Sequence, residues 1–115
     1  MTQPTIYHNP KCKKSREALE RLQELNYEPN IVKYLDNPPS PETLQDVIQK
    51  AGLTVHDIIR KEEKQFKEEF KGKELSDKEW LKVLTENPKL IQRPLVVYGD
   101  KACLARPKEE LEKIF

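Results

Sequence analysis

Thr5–Tyr34 reads TIYHNPKCKKSREALERLQELNYEPNIVKY, and the change of period along it decides the fold. Thr5–His8 is a short β-prone run, Asn9–Lys11 (NPK) is a turn, and Ala18, Leu19, Leu22 and Leu25 then recur at helical spacing. After NYEPN (Asn26–Asn30) the run Ile31–Tyr34 is β-prone again. Strand, tight loop, helix and strand in that order predict a βαβ unit with a right-handed crossover. Its two strands are therefore parallel, and the loop holding Cys12 lies at the C-terminal end of the first.

Outward from this unit, DNPPSPE (Asp36–Glu42) breaks the chain, with Ser40 as N-cap and Pro41 at the first helical position. Leu44, Val47, Ile48 and Ala51 form an apolar stripe that Gly52 ends. Thr54 restarts a shorter helix with Val55, Ile58 and Ile59. Lys61–Lys71 mixes lysine and glutamate around Phe66 and Phe70, as expected of a solvated helix anchored by two aromatics. Ser76 and Glu79 make a capping box before Trp80, Leu81 and Leu84, and Asn87–Pro88 closes that helix. Leu95–Tyr98 is a third strand, Gly99–Asp100 a hairpin turn, and Ala102–Ala105 an antiparallel fourth strand. Pro107 opens a terminal helix bearing Leu111, Ile114 and Phe115. The predicted class is α/β: β-α-β, several helices, then β-β-α, forming one domain over residues 1–115.

The chain carries a net charge of +1 with 36% charged residues, so no global field recruits nucleic acid or an anionic membrane, and any anion site must be local. No apolar run suits a membrane span or a signal peptide, which makes the cytoplasm the expected location. Cys12 and Cys103 stand far apart, unlike the dense pattern of a secreted disulfide scaffold, and suit a reducing compartment with Cys12 as a free thiol.

Tyr7–Arg16, YHNPKCKKSR, surrounds Cys12 with cations and no acid. A cysteine at the first turn of a helix faces unpaired backbone N–H groups and the positive end of the dipole, which favour thiolate over thiol. Lys11, Lys13, Lys14 and Arg16 act in the same direction. Ser15 completes a C-x-x-S spacing that implies single-thiol chemistry, with its hydroxyl placed to donate to the sulfur. His8, four residues upstream, is expected to act as a nearby imidazolium. A zinc site fails on ligand count, since His8 and Cys12 supply two ligands and His56 and Cys103 have no paired spacing.

Arg93 and Arg106 each precede a proline, which pushes them into extended geometry. In a βαβ plus ββα sheet the start of the third strand and the end of the fourth approach the end of the first, directing both guanidiniums toward Cys12. Their planar forks suit a tetrahedral oxyanion. Arg60, at the end of VHDIIRK, is a weaker candidate for the same role.

IYHNPKCKKSR, YLDNPPS, IIRK around Arg60, NPKLIQRPLVV around Arg93 and ARP at Arg106 occur in order over nearly the whole chain. Together they resemble the glutaredoxin-coupled arsenate reductases (ArsC) and their close relatives. The resemblance implies a thioredoxin-like fold with a mixed four-stranded sheet, a helical insertion at about residues 40–88 and a cis peptide at Pro94. It implies Cys12 as the nucleophile, His8 and Ser15 as groups favouring its thiolate, and Arg60, Arg93 and Arg106 as holders of the oxyanion. By the same resemblance the substrate is arsenate, glutathione is the co-substrate, glutaredoxin is the partner, no metal or flavin is bound, and the protein acts as a monomer. A rival enzyme, a monothiol glutathione-dependent oxidoreductase, needs Cys12 and Ser15 but not the arginines. A regulator like Spx shares the fold but uses C-x-x-C, where this chain has Ser15.

Overall fold

A computed structural model of the chain describes residues 3–115. Strand β1 (Thr5–His8) leads through the Cys12 loop into helix α1 (Lys13–Glu24), and β2 (Asn30–Lys33) returns parallel to β1 with Thr5 beside Asn30 and His8 beside Lys33. The predicted βαβ unit is thus formed. Strand β3 (Leu95–Tyr98) runs antiparallel to β1, with Tyr7 opposite Leu95. Strand β4 (Lys101–Leu104) pairs antiparallel with β3, and Gly99 takes φ 63° in the turn between them, a value that costs glycine little. The sheet order is β2-β1-β3-β4, a mixed sheet of the thioredoxin-like class.

Between β2 and β3 the chain is helical. Helix α2 (Pro41–Ala51) has Pro41 in its first turn, the Ser40 hydroxyl accepting from the Thr43 N–H, and left-handed Gly52 as its C-cap. Helix α4 (Asp77–Glu86) starts with the predicted capping box. The Ser76 N–H donates to Glu79 at 2.9 Å, and the Glu79 N–H donates to Ser76 at 3.2 Å. Other expectations need correction. Val55–Ile58 is a 3-10 turn, α3 spans Lys64–Glu69 and not the whole Lys61–Lys71 stretch, and Lys108–Lys113 is 3-10 where an α-helix was expected. Each is too short for several consecutive i→i−4 bonds to compensate the ordering of the first turn, so packing sets its form.

Alternate side chains of the strands feed two cores. Leu95 and Ala102 face α2, α4 and Tyr34, whereas Ile6, Val96 and Cys103 face Ala18 and Leu22 of α1, Leu111 and Ile114. This two-sided packing fixes the register, because a one-residue slip would exchange the two cores. It also leaves one end of the sheet to loops. The segments after β1, after β2, before β3 and after β4 all meet there.

Candidate active site

Cys12 is the N-cap of α1, with extended backbone (φ −94°, ψ 124°) and no hydrogen bond from its own side chain. Its N–H donates to the Asn9 carbonyl at 3.0 Å, and its carbonyl accepts from Arg16 at 3.0 Å, which closes the loop and starts the helix. The first-turn amides therefore point toward the loop without intrahelical partners. The thiol is free and partly exposed. Lys11, Lys13, Lys14 and Arg16 are all exposed, and Arg16 donates to the Pro10 carbonyl at 3.1 Å.

Ser15 and His8 are brought together, though not in the expected roles. Ser15 is fully buried, and its oxygen lies 2.6 Å from His8 Nδ1 and accepts from the Asn9 N–H at 3.0 Å. The hydroxyl thus braces the nucleophile loop and makes no bond to the sulfur. His8 is also buried, and burial first, then the Lys33 and Arg16 charges, hold its imidazole below the ordinary value. The Ser15–His8 bond therefore joins a buried hydroxyl to an imidazole whose surroundings disfavour the expected imidazolium.

The arginines divide. The Arg60 N–H donates to the Leu90 carbonyl at 2.7 Å, and Ile59 bridges Ile91, which ties Arg60 to the segment that leads into β3. Its guanidinium pairs with Glu62 at 3.3 Å and Glu63 at 2.9 Å. Arg93 enters the same region through a cis peptide to Pro94, and its Nε is buried without a hydrogen-bond partner. Arg60, Arg93, Glu63 and Asn9 line one cavity of about 260 Å³. Arg106, also followed by a cis proline, points its Nη1 to the Arg93 carbonyl at 3.4 Å and lines a separate cavity near Cys103 and Glu110. Arg60 and Arg93 thus share one cavity, and Arg106 lies against the Arg93 backbone.

Sequence reasoning missed Tyr34 and Glu63. Tyr34 follows β2, is 1% exposed, and lines the arginine cavity. Its phenol is pushed up to about 12, first by burial and then by the Cys12 charge, against smaller opposing effects of Arg60 and Asn9. The available signal was topological, because a strand parallel to β1 must end beside the Cys12 loop. Cys103 lies on β4 opposite Val96, and burial, with Glu110 adding to it, pushes its thiol up to about 12. Among the described residues no group of His, Cys, Asp and Glu forms a metal site, and no helix is long and apolar enough to cross a membrane.

Known proteins share this frame. The chain is 44% identical over 106 residues to the arsenate reductase of Rhizobium meliloti, covering 91% of this chain and 76% of that one. It is 39% identical over 114 residues to the uncharacterized protein YfgD of Escherichia coli K12, covering 97% and 96% respectively. The structure of an arsenate reductase from Vibrio cholerae superposes with a TM-score of 0.94 at 40% identity, over 99% of this chain and 98% of that one. The ArsC family model matches residues 7–114, and the chain belongs to the ArsC family.

Proposed function

We propose that this protein is an arsenate reductase in which the Cys12 thiolate attacks arsenate held by Arg93 and Arg60. The observation that carries the reading is the placement of a partly exposed thiol at a helix N-cap, beside a cavity whose buried Arg93 Nε has no protein partner. An uncommitted cationic donor next to a nucleophile suits an anionic electrophile. The arsenate reductase names of the Rhizobium and Vibrio proteins support the choice of anion.

In the first step an S–As bond forms and one arsenate oxygen leaves as water after protonation. Glutathione then supplies a second sulfur. Arsenic gains two electrons and departs as arsenite, while Cys12 and glutathione, each oxidised by one electron, form a mixed disulfide. Glutaredoxin, the proposed partner, returns Cys12 to the thiol. Cys12 is thus the nucleophile, Arg93 and Arg60 offset the oxyanion charge, and Ser15 and His8 keep the loop in place. These reductants fit a reducing cytoplasm, and the proposed cycle needs neither a second protomer nor a bound cofactor.

Arsenate-dependent NADPH oxidation in the presence of glutathione, glutaredoxin and glutathione reductase tests the reading. Wild-type turnover, its loss in Cys12→Ser and a fall of at least tenfold in kcat/KM in Arg93→Ala are expected. Wild-type protein that never consumes arsenate refutes it. Activity on glutathione mixed disulfides that survives Arg93→Ala assigns the monothiol oxidoreductase reading instead.

A further inference from the structure

The arginine cavity holds a second uncommitted donor. The Tyr34 hydroxyl is buried with no hydrogen-bond partner, although its ring is packed with Leu44, Ile59, Leu90 and Ile91 in the core facing α2 and α4. The Asn9 side chain lies close enough to lower the phenol slightly, but no bond of full hydrogen-bonding geometry joins the two, and the Asn9 amide oxygen accepts from the Lys11 N–H at 3.0 Å. A buried hydroxyl without a partner is destabilising, and phenylalanine would fill the same apolar space without that cost. The protein itself therefore leaves the tyrosine oxygen without a well-formed hydrogen bond.

The cavity that Tyr34 lines also receives Arg93, whose buried Nε is likewise unpartnered. Two unsatisfied N–H and O–H groups on one cavity call for a ligand rich in acceptors. We propose that the Tyr34 hydroxyl is a substrate-binding donor that hydrogen-bonds an oxygen of the tetrahedral oxyanion held by Arg93. This deepens the arsenate reading and rests on it for the identity of the anion.

Physical chemistry favours a phenol in this place. The upward shift of Tyr34, caused chiefly by burial, keeps it protonated across the working range, so it remains a donor whichever protonation state of the anion enters. It adds directional hydrogen bonding without adding charge to a site where Glu63 already engages Arg60 at 2.9 Å. Cys12 stands beside this cavity, since its N–H donates at 3.0 Å to the carbonyl of Asn9, one of the lining residues. An oxygen bound there belongs to an anion within reach of the sulfur.

The test compares wild type with Tyr34→Phe in the full chain. Three measurements are made: protection of Cys12 from iodoacetamide by arsenate, coupled arsenate turnover, and Tm. Loss of one hydrogen bond to an anion raises the half-protecting arsenate concentration by about 5- to 50-fold. Removal of the buried hydroxyl leaves Tm unchanged or raises it by about 2–6 °C. A packing role alone would lower Tm and spare affinity. Equal protection of the two proteins by arsenate overturns the assignment while leaving arsenate reduction intact. Protection that weakens in Tyr34→Phe, in a wild type that does not turn arsenate over, supports the donor and removes the reductase reading. A wild type that no arsenate, phosphate or sulfate protects overturns the donor outright.

Discussion

Cys12 and Cys103 carry the same side chain in opposite surroundings, one at an open helix start and the other 7% exposed between β3 and the C-terminal run. With its thiol pushed up to about 12, Cys103 supplies almost no thiolate near neutral pH. A thiol-specific chromogenic reagent should therefore titrate one cysteine in the native protein and two in denaturant; two fast native thiols would contradict this burial. His8 shows burial acting on a base. Its folded value lies below 6.5, so in the window between the two values the unfolded chain binds more protons and stability rises with pH. The contribution is complete above about pH 6.5 and is lost as pH falls toward the folded value. Tm measured from about pH 8 down to about pH 5 should fall more steeply in wild type than in His8→Gln. Parallel curves for the two proteins would show that His8 does not carry the dependence. C-x-x-S was readable in the sequence, but the Ser15–His8 bond was not, because it needs the register that lays β1 against the start of α1.

At the scale of elements, caps were the most legible features. Ser40, Gly52 and the Ser76–Glu79 box act through contacts three or four residues away, which the sequence displays directly. Ser76→Ala should lower stability by about 1 kcal/mol, read as a shift in the urea midpoint with unchanged slope. The short turns were less legible because packing decides their form. The Arg60 segment shows the functional consequence. VHDIIRK marked the arginine, but the structure adds that Glu63, three residues on, occupies it at 2.9 Å. An entering anion must share or displace this contact. Glu63→Gln removes a like charge from the cavity and should tighten arsenate protection of Cys12 by roughly three- to tenfold. Weakened protection would mean that Glu63 positions Arg60 for binding and does not compete with the ligand.

For the whole molecule, the parallel and antiparallel pairings place four chain segments at one end of the sheet. The order of strands in the sequence put Arg93, just before β3, at the end of the sheet where the Cys12 loop follows β1. It left Tyr34 unseen, since a tyrosine in an apolar run reads as core until the hydroxyl lacks a partner. It also anticipated that Arg106, after β4, would approach Arg93, before β3, though not the contact of its Nη1 with the Arg93 carbonyl. The two cores make a further difference between faces. Leu84 and Leu111 are both 0% exposed, but Leu84 belongs to the core that includes Tyr34, which lines the arginine cavity, whereas Leu111 belongs to the core beneath α1. Truncating either to alanine should cost about 2–5 kcal/mol in denaturation followed by Trp80 fluorescence. At a temperature where both variants remain folded, Leu84→Ala should weaken arsenate protection of Cys12 more than Leu111→Ala, because only its cavity borders the residues that hold the anion. Equal weakening would show that the oxyanion site depends on global stability and not on the core beneath it.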